Sequence, residues 1–297
     1  MQASNTFSGL WVPLVTPFRD GAVDHPALAG LVRHLRPTGI AGFVVCGSTG
    51  EAAALDEAEQ LAVLDTVTQV AQGLPIVMGL SGYHLPHTLA WVETLASRDL
   101  AGLLVHPPHY IRPDPNGVGH WFRAIADASP HPLIVYDIPY RTGVTLSLQT
   151  LRELSWHPRI LALKDCGGDA AKTQALIADG RLQVLAGEDA QIFSTVALGG
   201  CGAIAASAHV HTDRFVRVLK QLQRNDLVQA RSDWHGLPPM IEMLFAEPNP
   251  GPIKALLAHE GLIRNELRAP MMPATPQLTQ RLVARSRSLG TPDGDSV

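Results

Sequence analysis

Eight short apolar runs recur along this chain, bounded by Gly or Pro and followed by segments with helical spacing. They are Leu10–Val15, Gly42–Cys46, Pro75–Leu80, Gly102–His106, Leu133–Asp137, Ile160–Lys164, Gln183–Ala186 and Gly202–Ala205. Runs that stay apolar without alternation suit strands buried on both faces, the condition of a parallel sheet. The intervening segments carry helix signals. Asp24 is placed to cap a helix with Pro26 in its first turn and a stripe at Leu28, Leu31, Val32 and Leu35. Asp56 with Glu59 forms a capping box ahead of Leu61, Leu64, Val67 and Ala71. Phe215, Val218, Leu219 and Leu222 repeat the same face after the eighth run. Eight such units predict an α/β protein of (β/α)₈ TIM-barrel type. An open doubly wound sheet is the competing arrangement, but the chain lacks its dinucleotide fingerprint.

Beyond about Leu227 the pattern is helical only, over Leu227–Glu247, Pro252–Gly261 and Pro276–Leu289. The expected organisation is a barrel catalytic domain over residues 1–226 and a C-terminal helical extension, residues 227–297, packed on it. The last residues, Gly290–Val297, are polar and expected to fray.

Composition narrows the function. Hydrophobic residues make up 46% of the chain and charged residues 17%, which excludes a disordered protein. With 23 Lys+Arg against 27 Asp+Glu the net charge is −4, so no basic surplus exists to neutralise phosphates. No nucleic-acid partner is expected. Two charge-free stretches, Gly73–Val92 and Gln191–Thr212, are broken by small and polar residues. They suit core strands and helices, not membrane spans, and no membrane partner is expected. Cys46, Cys166 and Cys201 are widely separated and odd in number, which points to neither a disulfide framework nor a metal site. A reducing cytoplasm is the expected location. Met1–Ser8 shows neither the basic start nor the apolar run of a secretory signal.

In a barrel of this kind the chemistry sits at the C-terminal ends of the strands. Polar residues at those ends form a short roster. Lys164 follows Ile160-Leu161-Ala162-Leu163, so its stem should lie among apolar side chains in the barrel mouth. Desolvation there favours the neutral amine, the form able to make an imine. Pairing with the adjacent Asp165 is an equal alternative. Tyr136 and Tyr110 could relay protons, although an isolated tyrosine is more often a packed residue with one satisfied hydroxyl. Arg141, in a turn before Thr142-Gly143, could grip a carboxylate in two-point fashion, or be a solvated loop arginine. Gly47-Ser48-Thr49-Gly50 offers hydroxyls and amides to an anion at a helix N-terminus, although ordinary turns use the same residues. His209-Val210-His211 has metal-like spacing but no carboxylate or further histidine on another strand end to complete a ligand set, so packed histidines are expected. Gly199-Gly200 precedes its strand and reads as a helix-ending turn.

Together, Gly47-Ser48-Thr49-Gly50-Glu51, Tyr136-Asp137-Ile138-Pro139-Tyr140-Arg141-Thr142-Gly143 and Lys164-Asp165 resemble the dihydrodipicolinate synthase / N-acetylneuraminate lyase family. Val15-Thr16-Pro17-Phe18 and Glu247-Pro248-Asn249-Pro250-Gly251-Pro252-Ile253-Lys254 add to the likeness, which runs from about Gly9 to Leu289. The resemblance implies a class I aldolase-type lyase, without metal or organic cofactor, usually a homotetramer built from dimers. It implies that Lys164 forms a Schiff base with pyruvate or another 2-oxo acid and that Tyr136 is the acid/base beside it. Ser48 and Thr49 would complete a hydroxyl relay, with Tyr110 contributed across a dimer interface. Arg141 would hold the carboxylate of the aldehyde partner, and Gly187 and Ile204 would line the pyruvate pocket.

Arg141 makes the chain similar to the synthase branch of the family, which implies condensation of pyruvate with aspartate semialdehyde in lysine biosynthesis. The alternative is another 2-oxo acid aldolase or dehydratase, of 4-hydroxy-2-oxoglutarate aldolase type or acting on sugar acids. Ser48 in place of a second threonine, Lys164-Asp165-Cys166 in place of Lys-Glu-Ala and His109 in place of a tyrosine keep that alternative open. Synthases that respond to lysine carry Asn and Glu where Tyr83 and His87 stand here, so little inhibition by lysine is expected.

Overall fold

The computed structural model describes residues 6–290. The eight runs form a closed barrel of parallel strands: β1 (Gly9–Pro13), β4 (Gly42–Val45), β5 (Ile76–Leu80), β6 (Gly102–Val105), β7 (Leu133–Asp137), β8 (Ile160–Asp165), β9 (Gln183–Ala186) and β10 (Gly202–Ile204). β10 pairs with β1, which closes the ring. A small antiparallel hairpin, β2 (Phe18–Arg19) with β3 (Ala22–Val23), intervenes after β1. The sequence pattern does not announce it, because strands this short have no period to read.

The helix signals are realised. Asp24 accepts from the Ala27 amide at the head of helix His25–Leu35, and the Asp56/Glu59 capping box opens helix Glu57–Ala71. Two expectations need correction. Leu227–Glu247 is not one helical stretch but two helices, Leu227–His235 and Pro238–Leu244, with a loop over 245–250. Gly236 and the Pro238-Pro239 pair interrupt the turn-to-turn hydrogen bonding. The loop over 47–50 does not lead directly into an α-helix either. A 3₁₀ turn, Ala52–Ala54, follows it, and the α-helix starts only at Glu57. The expected fraying of Gly290–Val297 concerns residues that, from 291 onward, lie outside the described ones.

Side-chain alternation sorts each strand into an inner and an outer set. On β7, Ile134 and Tyr136 point into the barrel with Trp11, Val44, Val77, Leu104, Ala162, Leu185 and Ile204. Leu133 and Val135 point outward to the layer shared with the helices. Phe7 enters the bottom of the barrel, where its amide donates to Gln183 Oε1 at 2.9 Å. The barrel is thus filled below by Phe7, and its mouth lies at the C-terminal ends of its strands.

The charge-free stretches resolve as core pieces. Gly73–Val92 contains β5 and most of helix Leu85–Leu95, and Gln191–Thr212 contains helix Ile192–Ala197 and β10. Gly199-Gly200 is the turn after that helix, with Gly199 at φ +103°. No helix among the described residues is long and apolar enough to cross a membrane.

Candidate active site

Strand register places Lys164 opposite Tyr136 and Asp165 opposite Asp137. The first pair faces into the barrel mouth and the second faces out. Lys164 is 5% exposed, and its Nζ sits 4.2 Å from the centroid of the Tyr136 ring. Among the described residues no carboxylate lies within ion-pair reach of it. The Asp165 alternative fails because alternation sends that carboxylate to the other face, where it accepts from Thr173 Oγ1 and, at 2.8 Å, from the Gly167 amide. Burial holds the Lys164 amine below the ordinary lysine range, opposed by Cys166, Asp189 and Glu188. Burial likewise pushes the Tyr136 phenol well above its usual range, with a contact from Ser48 acting in the other direction. An uncharged phenol therefore faces an amine biased toward neutrality.

Lys164 looks into a chamber of about 340 Å³, lined also by Ser48, Thr49, Tyr136, Arg141, Gly187 and Ile204. These are seven of the eight residues selected from sequence. Tyr110 is the exception: in the single chain it is 86% exposed, with φ +71°, and lines neither chamber described here. Gly187 is glycine for a spatial reason. A Cβ there would lie 2.5 Å from Cys166 Sγ and 2.8 Å from Lys164 Cγ, so any side chain would displace the lysine. Arg141 rides on the short helix Pro139–Thr142, its guanidinium 5.9 Å from the Tyr140 ring.

Three polar residues at this chamber and its neighbour escape the sequence reading of roles. Asn249, in the loop after helix Pro238–Leu244, donates from Nδ2 to Thr49 Oγ1 at 3.1 Å. Asp189, after β9, accepts from the Ser207 amide at 2.6 Å and from the Ser207 hydroxyl. Burial raises its carboxyl to about 6. His106, at the end of β6, belongs to a second chamber of about 360 Å³ that shares Ser48, Tyr136, Arg141 and Asn249 with the first. Its Nδ1 lies 2.6 Å from the Pro107 carbonyl, which can only accept, so Nδ1 carries the proton and Nε2 accepts from Ser81 Oγ at 3.1 Å. Burial lowers its pKa and keeps it neutral. The ring chain continues outward through His109 to Tyr83, while His87 meets Glu57 at 3.1 Å.

The loop bearing Ser48 and Thr49 is held from several sides. Cys46 and Glu51 flank it at φ +52° and +53°, a region that side-chain-bearing residues enter at a cost and that clusters at functional sites. Thr16 Oγ1 donates to the Gly50 carbonyl at 2.7 Å. The Glu51 carboxylate pairs with the fully buried ammonium of Lys254, which also donates to the Glu266 carbonyl at 2.9 Å. On the outer face, Lys172 Nζ meets Asp137 Oδ2 at 2.6 Å and the Leu146 carbonyl at 3.0 Å. That contact pins both ends of the segment that carries Arg141. His209 is a packed histidine: Nδ1 donates to the Ala206 carbonyl at 2.8 Å and Nε2 accepts from the Val15 amide at 3.1 Å. With both nitrogens used, it offers no ligand to a metal. Among the described residues no group of three His, Cys, Asp or Glu could hold a metal ion.

A buried lysine whose amine is biased toward neutrality, beside a protonated tyrosine inside the mouth of a (β/α)₈ barrel, defines a class I aldolase-type lyase. The chain belongs to the dihydrodipicolinate synthetase family, whose model matches residues 6–287. It is 36% identical to 4-hydroxy-tetrahydrodipicolinate synthase 2 of Clostridium acetobutylicum, over 92% of this chain and 97% of that one. A chloride-inhibited dihydrodipicolinate synthase of Acinetobacter baumannii, solved with pyruvate, is 31% identical and superposes with a TM-score of 0.92 over 95% of this chain and 99% of that one. The dihydrodipicolinate synthase of Thermotoga maritima is 27% identical, with a TM-score of 0.93 over 96% of this chain and 99% of that one.

Proposed function

We propose that this chain condenses pyruvate with aspartate semialdehyde through an imine on Lys164, acting as a 4-hydroxy-tetrahydrodipicolinate synthase. The observation that carries this reading is the buried Lys164 amine, without a carboxylate partner among the described residues, 4.2 Å from the Tyr136 ring. The names of the relatives support the choice of substrates. In the first step the Lys164 lone pair attacks the ketone carbon of pyruvate, and the carbinolamine loses water to give a protonated imine. That cation accepts electrons, so the adjacent methyl loses a proton and an enamine forms. The enamine carbon then attacks the aldehyde carbon of the second substrate, whose oxygen takes up a proton. The amine of that substrate adds to the regenerated imine carbon and expels the Lys164 amine, which closes the product ring and frees the lysine.

Tyr136 is the proton carrier in this scheme. Because its phenol stays protonated, it works by passing one proton on as it accepts another, with Ser48 and Thr49 as hydroxyl neighbours. Arg141 lines both chambers and is the natural partner for the carboxylate of the aldehyde substrate. We read Tyr110, exposed on the single chain, as a residue that meets a second copy, which accords with a dimer-based homotetramer. Three free cysteines accord with a cytoplasmic location, and the names of the relatives accord with lysine biosynthesis as the setting. The test compares aldehydes in the presence of pyruvate. Aspartate semialdehyde should be consumed, and Arg141→Ala should raise its KM far more than that of pyruvate. Turnover of sugar-acid aldehydes in its place would assign the chain to the catabolic branch.

A further inference from the structure

Thr49 lines the chamber beside Lys164, and among the described residues no hydrogen bond from its own loop orients its hydroxyl. The residue is 4% exposed, and the hydrogen bond that reaches its Oγ1 comes from Asn249 Nδ2, 3.1 Å away and 200 positions along the chain. The direction of that bond has a consequence. An amide N–H only donates, so Thr49 Oγ1 is occupied as an acceptor and its own proton must be given elsewhere. The open direction is the chamber that Thr49 lines with Lys164. A hydroxyl donor aimed there favours a carboxylate beside the lysine, and a buried donor so fixed needs no reorientation on binding.

Asn249 is itself held in place. Its loop is anchored on one side where Glu247 accepts from the Thr275 amide at 2.8 Å and from the Thr275 hydroxyl. On the other side Lys254 pairs with Glu51, two residues after Thr49. The loop over 47–51 is thus held twice from this side, once by an ion pair to the helix Gly251–His259 that follows the Asn249 loop and once by the Asn249 amide itself. Asn249 lines both chambers, and its Oδ1 atom is buried with no hydrogen-bond partner among the described residues.

We infer that Asn249 is a positioning residue: by donating to Thr49 it turns the threonine hydroxyl into a carboxylate donor for the 2-oxo acid. This rests on the reading that a 2-oxo acid forms an imine on Lys164, and it does not depend on which aldehyde follows. The test uses the full chain, pyruvate and borohydride, with the pyruvate concentration for half-maximal trapping as the readout. Asn249→Ala removes the donor and should raise that concentration about tenfold, the effect of one lost hydrogen bond to a charged group. Asn249→Asp keeps the shape but reverses the bond, because a carboxylate accepts from Thr49 and draws its proton away from the substrate. It should therefore be worse than Asn249→Ala, by a further factor of about ten or more. Thr49→Val should remove the difference between the Asn249 variants. An Asp-against-Ala difference that persists in the Thr49→Val background comes from the charge of the carboxylate on the chamber wall and not from the threonine proton, and that result overturns the inference. Unfolding curves identify a variant that fails to fold. Should Asn249→Asp prove to be one, the inference is read from Asn249→Ala alone, where an unchanged concentration for half-maximal trapping overturns it. Failure of the wild type to trap pyruvate at all would instead refute the proposed function.

Discussion

The two faces of one strand pair treat buried charge in opposite ways. On the inner face of β7 and β8, Lys164 lies against Tyr136 with no carboxylate in reach among the described residues. On the outer face, Asp137 is fully buried and meets the Lys172 ammonium at 2.6 Å. Lys254, under the loop of Thr49, follows the outer pattern through Glu51. Burial lowers the pKa of Lys254 as it does that of Lys164, but Glu51 opposes the shift at contact distance and holds the ammonium in an ion pair. No contacting carboxylate among the described residues opposes the drift of Lys164 toward its neutral, nucleophilic form. The same residue type is structural in two places, both on helices that set it against a buried carboxylate, and chemical in the third, where a strand points it into the barrel mouth.

Replacing each lysine by methionine exposes that difference. Lys164→Met should lose at least about 10⁴-fold in turnover, since enzymatic accelerations start near 10⁶ and the imine has no other nitrogen here. Its unfolding midpoint should stay the same or rise, because an unpaired buried amine is replaced by an apolar group. Lys172→Met should do the reverse. It strands the buried Asp137 carboxyl, already raised by burial, and should cost about 3–5 kcal/mol in denaturant unfolding. A large loss of stability in Lys164→Met would break the contrast.

Tyr136→Phe comes next. It keeps the ring over Lys164 but removes the proton carrier, so kcat should fall by about 10²–10⁴-fold with a much smaller change in pyruvate affinity. Equal losses in both would mean that the phenol binds substrate without moving protons.

His209 extends the comparison to a buried titratable group with no chemical role. Burial lowers its pKa from 6.5 to about 4. A depressed folded-state value means that the stability is fully present above the unfolded pKa and is lost as the pH falls from about 6.5 toward 4. The span is on the order of 3 kcal/mol. Unfolding curves across that window should be flatter in His209→Gln than in the wild type, and an identical slope would remove His209 as the cause. The smallest effect concerns lysine. With Tyr83 packed edge-on against His109 and His87 facing Glu57, added lysine at millimolar concentration should leave the rate nearly unchanged.

The barrel is legible in the sequence because its strands are buried on both sides and bounded by Gly and Pro, so each announces its ends as well as its content. The Asp56/Glu59 box is legible because capping chemistry is local. Legibility fails where the determinant is distant or too short. The hairpin Phe18–Val23 has strands of two residues, and the helical stripe after Leu227 hides the break at Gly236–Pro238. Lys164, Tyr136 and Arg141 are found because they sit at strand ends, where barrel geometry collects side chains. Asn249 lies outside every strand end and reaches Thr49 only through the path of the C-terminal loop, so a search confined to strand ends passes over it. Tyr110 takes its role from family resemblance, and the single chain does not bring it to Lys164.

Reductive capture puts the inner face to its hardest trial. The protein is incubated with pyruvate and borohydride, digested, and the modified peptide located by mass. The mass added by one reduced pyruvate imine should appear on Lys164 and be absent from Lys172 and Lys254, whose ammonium groups are engaged by Asp137 and Glu51. An unmodified Lys164 in protein that still turns over, or capture on either paired lysine in its place, contradicts the assignment of the chemistry to the unpaired amine.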